Sequence, residues 1–186
     1  MSFIFILFLA LTVEAKLVTM EKSKKNYSIE IPDDFEYVPT MFGLENVILA
    51  PEDKSLGTAS LSLTITELND IRLNPAELKA TEKDYQEGRR RYLSERKFEL
   101  VEFLAFESKK NDHNLQVHSI GMVFKNKERV TKEKSFFIEC PYALIHAKTF
   151  SHVGRLKELP KLKKFKYPSS VNEKFERSIS SFKCPS

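Results

Sequence analysis

Hydrophobic and polar positions change their period several times along the chain, and each change predicts an element. Tyr27-Ser28-Ile29-Glu30-Ile31 alternates, and Pro32-Asp33-Asp34 follows with one residue that cannot donate to a ladder and two turn formers. The spacing predicts a short strand ending in a turn. Asn46 to Ala50 is a second candidate strand, closed by Pro51 and the polar Glu52-Asp53-Lys54. Ser60 to Thr66 gives the cleanest alternation, with Leu61, Leu63 and Ile65 pointing one way and hydroxyl side chains the other. That is the pattern of an antiparallel sheet covered on a single side.

From Pro75 to about Ser94 the period becomes helical. Asn74 is placed to cap the first turn, and Pro75 takes the first helical position, where its missing N–H is harmless. Leu78, Thr81, Tyr85, Gly88 and Tyr92 fall on one stripe that should lie on the sheet, with Gly88 marking close approach to a strand. Arg89, Arg90 and Arg91 read as a solvated face. Phe98 to Glu107 is apolar on both alternations, as a central strand is. Leu115 to Phe124 and Ser135 to Cys140 read as a hairpin around a charged loop from Lys125 to Lys134, and Ala143 to Phe150 pairs back across Pro141-Tyr142. Val171, Phe175, Ile179 and Phe182 predict a terminal amphipathic helix. The expected fold class is α+β: a single domain whose twisted antiparallel sheet of about six or seven strands carries two main helices packed on one face.

The first residues stand apart. Phe3 to Leu11 is an unbroken apolar run, and Val13-Glu14-Ala15 places compact residues where a signal peptidase reads before Lys16. Residues 1–15 are expected to be a cleavable export signal and 16–186 a single domain, located in a periplasm or secreted. A buried N-terminal strand is the other structure such a run can form. The run is shorter than the roughly 20 residues of a spanning helix, so no transmembrane span is expected. With 186 residues, 41% of them hydrophobic, the chain has material for one core and not for two.

Export changes the reading of the only two cysteines, Cys140 and Cys184. In an oxidising space an even count favours pairing, and one disulfide is the simplest arrangement; two separate thiols are the alternative. A bridge over that separation restricts the unfolded chain by roughly 4 kcal/mol on the loop-entropy account. The spacing is not Cys-x-x-Cys, and two thiols fall short of the four ligands of a structural zinc.

Charge adds one local feature. The formal net charge of +4 says little alone, but Arg155, Lys157, Lys161, Lys163, Lys164 and Lys166 are interrupted by a single acid, Glu158. With Pro160 and Pro168, the stretch reads as an exposed loop and as a possible partner or membrane patch. Only Phe165 and Tyr167 lie among these charges, which argues against nucleic acid.

Candidate chemistry is sparse. His113, His118, His146 and His152 stand at no metal-ligand spacing, and each reads as structural or exposed. Glu30, Asp33, Asp34 and Glu36 cluster at a turn but match no calcium loop. Ser119-Ile120-Gly121 lacks the first glycine of a nucleophile elbow, and the scattered glycines form no phosphate-cradling fingerprint. No catalytic residue, cofactor site or metal site is therefore assigned. Asn26-Tyr27-Ser28 matches the acceptor for N-glycosylation.

The order of parts resembles a known group. A leader, the strand Tyr27-Ser28-Ile29-Glu30-Ile31-Pro32, two further strands, a helix from Pro75, a meander and a closing helix Lys174 to Phe182 are similar to the PsbP-like small α+β domains. The resemblance covers nearly all of residues 16–186. It implies a non-enzymatic partner protein, since that group includes a lumenal photosystem subunit, a nuclear-transport binding protein and bacterial envelope proteins. It transfers no functional residue. The function expected is thus an exported binding or accessory protein of the cell envelope, whose partner is another envelope or secreted protein. Two other classes stand beside it: an exported hydrolase with a site assembled only in three dimensions, and a peripheral scaffold holding an anionic membrane through the 155–166 segment.

Overall fold

The computed structural model describes residues 14–68, 73–167 and 169–185, so the expected export signal lies outside the described residues except for Glu14 and Ala15. The first two strands, β1 (Ala15–Lys22) and β2 (Lys25–Pro32), form a two-stranded antiparallel sheet of their own. A seven-stranded antiparallel sheet follows, built from β3 (Glu36–Met41), β4 (Leu44–Leu49), β5 (Ser60–Glu67), β6 (Glu99–Lys110), β7 (Gln116–Lys125), β8 (Arg129–Cys140) and β9 (Ala143–Arg155). Its order is β3-β4-β5-β9-β8-β7-β6. The helices are α1 (Pro75–Ala80), α2 (Glu82–Glu95), α3 (Leu159–Lys164) and α4 (Ser170–Ser180).

The main core lies between one face of the large sheet, the β1–β2 hairpin and α4. Ile48, Leu61, Leu63, Phe136, Ile138 and Ile145 meet Tyr27, Ile29 and Ile31 from the hairpin and Phe175, Ile179 and Phe182 from α4. These are the alternate positions that the strand and helix periods single out. Ser169 caps α4 by accepting from the Asn172 N–H, and Ser28 exchanges backbone hydrogen bonds of 3.1 and 2.8 Å with Lys183. Strand β2 and the segment after α4 are thereby tied together.

The second main helix does not share that face. Glu133 of β8 pairs with Arg89 of α2 at 2.7 Å, whereas its neighbour Lys134 reaches Glu176 of α4 at 3.5 Å. Successive strand residues point to opposite faces, so α2 and α4 cover opposite sides of the sheet, contrary to the expectation of both helices on one face. The physical reason is visible in β7, where Val117 through Phe124 are buried without a break. That strand needs cover above and below.

Other expectations shift for related reasons. Phe98 to Glu107, expected as a central strand, forms most of edge strand β6; its two apolar faces pack separately, with Leu100 and Phe103 beside Leu93 and with Val101 and Leu104 near Leu162. The loop expected from Lys125 to Lys134 shrinks to Asn126–Glu128, because β8 begins at Arg129 and buries Thr131, Glu133 and Lys134 in ion pairs and hydrogen bonds. Strands β1 and β3 lie where the hydrophobic pattern predicts none, β3 despite Pro39, which is tolerated at the sheet edge. The helix from Pro75 divides at Thr81, and Asn74 caps α1 as expected. Its inner stripe runs through Tyr85, Arg89 and Leu93; Gly88 is exposed, and a Cβ there would meet nothing within 4 Å. Close backbone approach occurs instead at Gly121, where a Cβ would lie 2.5 Å from the Glu133 carbonyl oxygen.

Candidate binding surface

Three connections converge at one end of the large sheet. Lys54 and Ser55 from the β4–β5 loop, Lys127 and Glu128 from the β7–β8 turn with Arg129 at the start of β8, and Arg155 at the end of β9 with Leu156 and Lys157 after it line a cleft of about 680 Å³. Asp53 shapes the first wall. Its Oδ1 accepts from the Ser55 N–H and hydroxyl, both at 2.6 Å, and from the Leu56 N–H at 3.0 Å. These bonds to its charged form hold the carboxyl below its usual range. The Arg129 guanidinium donates to the Leu56 carbonyl at 2.8 Å and lies where a side chain at Gly57 would fall, so Gly57 both takes its positive φ of 88° and leaves room for the arginine. Asn126 Oδ1 shapes the second wall by accepting from the Glu128 and Arg129 N–H groups. The Leu156 N–H joins the third wall to the second through the Glu128 carbonyl at 2.9 Å.

The expected loop after Arg155 is a 3₁₀ turn (Leu156–Glu158) leading into α3. Leu159, Leu162 and Tyr167 explain the difference, since they pack against Val123, Val130 and Val153, and Gly154 makes room for Leu162. Burial, with the nearby Glu102 carboxylate as a lesser cause, pushes the Tyr167 phenol up to about 12. With the apolar side chains turned inward, Lys161, Lys163, Lys164 and Lys166 are exposed, and Phe165 stays 60% exposed beside them. The run of charge in the sequence singles out the 155–166 cations. It misses Lys54, Lys127 and Arg129, which only strand pairing brings to the same end; their sole local signal is a place in polar turns.

The opposite face of the sheet holds His118, His146 and His152, while His113 is exposed in the β6–β7 turn. His118 is wholly buried, its Nε2 lies 3.0 Å from Glu139 Oε1, and it stacks on Phe106. His146 stacks on Phe137 with ring centroids 4.9 Å apart. Burial, reinforced by Lys148 and opposed by Glu133, lowers its pKa. His152 Nδ1 lies 2.8 Å from the Thr131 hydroxyl, and burial together with Arg129 lowers its pKa as well. Among the described residues no serine hydroxyl hydrogen-bonds an imidazole, and no three His, Cys, Asp or Glu side chains converge as metal ligands. Asp34 of the acidic turn pairs instead with Lys174 at 3.2 Å.

Cys140 and Cys184 form a disulfide, with their Cα atoms 5.7 Å apart, and it fastens the segment after α4 to the end of β8. The described helices include none long and apolar enough to cross a membrane. Compared with solved structures, the chain is similar to cyanobacterial PsbP from Synechocystis sp. PCC 6803, with a TM-score of 0.52 and 16% identity over 92% of this chain and 94% of that one. The fold is PsbP-like. A second match is LpqN of Mycobacterium tuberculosis, described as involved in cell envelope biogenesis, with a TM-score of 0.51 and 10% identity over 92% of both chains. At these identities the likeness is one of fold. By sequence the chain matches no family model and no curated protein.

Proposed function

We propose that this protein is an exported, non-enzymatic accessory protein of the cell envelope that acts by contact with another protein. The observation that carries the reading is the match over nearly the whole chain to LpqN, an envelope-biogenesis protein, together with the match to PsbP. The disulfide between Cys140 and Cys184 supports the export half, because such bonds persist in oxidising compartments. Residues 1–15 serve as the cleaved signal in this reading. His118 is shut away from solvent and stacked, which suits a structural imidazole better than a general base.

The test is affinity capture of the protein from its own cell envelope, with the intact mass of the same sample. A specific stoichiometric partner, loss of the leader mass and loss of two hydrogens at the cysteines are expected. Turnover of a substrate panel without a partner, or cytosolic protein with Met1 and two reduced thiols, would overturn the reading.

A further inference from the structure

The basic end of the molecule carries more cations than the cleft alone requires. Besides the five that line it, the four lysines on and just after α3 project outward from the same end, against the acids Glu52, Asp53, Glu128 and Glu158. Two of those carboxylates are occupied, Asp53 by its own loop and Glu158 by the Arg155 N–H at 3.0 Å. Among the described residues none of the nine cations has a carboxylate within 4.0 Å, whereas the lysines of β8 and β9 are paired. Phe165 is exposed among the α3 lysines, with the Lys164 ammonium 5.9 Å from its ring centroid. Leu162 and Tyr167, both buried, hold α3 against the sheet so that the ring and the charges must face out.

From this arrangement we propose that the end formed by the cleft and α3 docks on an anionic bilayer surface, with the lysines and arginines over the lipid phosphates and Phe165 in the interface. The cations come from three separate chain segments on long side chains. Such dispersed charge suits a surface whose anions move laterally to meet it, while a single folded acidic partner would need them in one fixed constellation. An aromatic ring among ammonium groups is the pairing that favours the boundary between headgroups and hydrocarbon. This docking leaves the opposite end of the sheet free for the protein partner proposed above, and it stands or falls separately from that partner.

Co-sedimentation of the protein, as purified from cells, with phosphatidylglycerol-containing vesicles and with pure phosphatidylcholine vesicles tests the proposal. Binding to the anionic vesicles alone is expected, released near 1 M salt, where the screening length falls to about 3 Å. Each lysine near the surface contributes about fivefold in partition, so the combined Lys157→Gln, Lys161→Gln, Lys163→Gln and Lys164→Gln protein should lose roughly several hundredfold. Phe165→Ser should lose about fivefold. The combined Lys24→Gln, Lys79→Gln, Lys83→Gln and Lys110→Gln protein, equal in net charge but altered elsewhere, should keep its binding. Equal binding to neutral vesicles, equal loss in both lysine sets, displacement by millimolar inorganic phosphate, or retention on polyglutamate without vesicle binding would each overturn it.

Discussion

Glu133 and Lys134 are neighbours in one strand, yet they look onto two differently made halves of the protein. The face below Lys134 is closed by aromatic and aliphatic packing: Phe175, Ile179 and Phe182 of α4 and three residues of the β1–β2 hairpin against the strands. The face below Glu133 is only partly closed. There α2 contributes a single buried residue, Leu93, and is otherwise held by the Arg89–Glu133 pair, while Lys148 approaches the other Glu133 oxygen at 3.1 Å. Burial first, then the Glu133 charge, pushes the Tyr85 phenol up to about 12. His118, His146 and His152 all belong to this second face by strand alternation. One side is held by area removed from water, the other by charges that must stay paired in a poorly hydrated layer.

That contrast makes unequal demands on substitution. Phe175→Ala removes a ring with no exposed surface that stands edge-on to Phe35 at 5.3 Å, and should cost about 4 kcal/mol, read as a fall in urea midpoint at unchanged slope. A loss under about 1 kcal/mol would show that the packed face is not the tighter one. Glu133→Gln leaves Arg89 and Lys148 facing each other without their shared carboxylate. Because both cations keep some solvent access, about 2 kcal/mol should be lost. Combining Glu133→Leu with Arg89→Met should recover part of this, and failure to do so would mean that the pair does more than satisfy charge. Gly88→Ala should instead stabilise by about 1 kcal/mol, since the position is exposed in the middle of α2 and open around its missing Cβ. A destabilised Gly88→Ala protein would put α2 closer to the sheet than its contacts indicate.

The smallest effect is one of pH. Lowered pKa values mean that His146 and His152 prefer to be neutral when folded, so the unfolded chain binds their protons first. Their contribution to stability is complete above the ordinary imidazole value of ~6.5 and is lost as pH falls from there through the lowered folded values. Urea midpoints should therefore be flat from neutral upward and decline on acidification, and the His146→Phe protein should show a shallower decline. An unchanged slope in that variant would assign the acid sensitivity to other groups.

Much of the packed face is legible in the amino-acid sequence alone. Leu61, Leu63 and Ile65 in β5, and Val171, Phe175 and Ile179 in α4, keep strand and helix periods that determine which side turns inward. Asn74 and Pro75 announce a helix start through hydrogen-bond chemistry confined to neighbouring residues. The polar face is not legible in this way. Arg89 reads as one of three exposed arginines because its partner, Glu133, lies far along the chain, and nothing local tells a paired charge from a solvated one. The cleft at the basic end is half visible for the same reason: Arg155 and Lys157 sit in an obvious run, but Lys54, Lys127 and Arg129 join them only when β4, β7, β8 and β9 are in register.

Periodicity, turn residues and an even count of cysteines behind an expected export signal thus determined, from the sequence by itself, an α+β domain with a sheet, a leading and a closing helix, and a candidate bridge. Tertiary structure decided that the helices take opposite faces, that the Phe98 strand lies at an edge, and which cations share a surface. The physical reason is range. Alternation and capping act over a few residues and leave their mark in the order of the chain, whereas ion pairs and sheet order are settled by which distant segments meet.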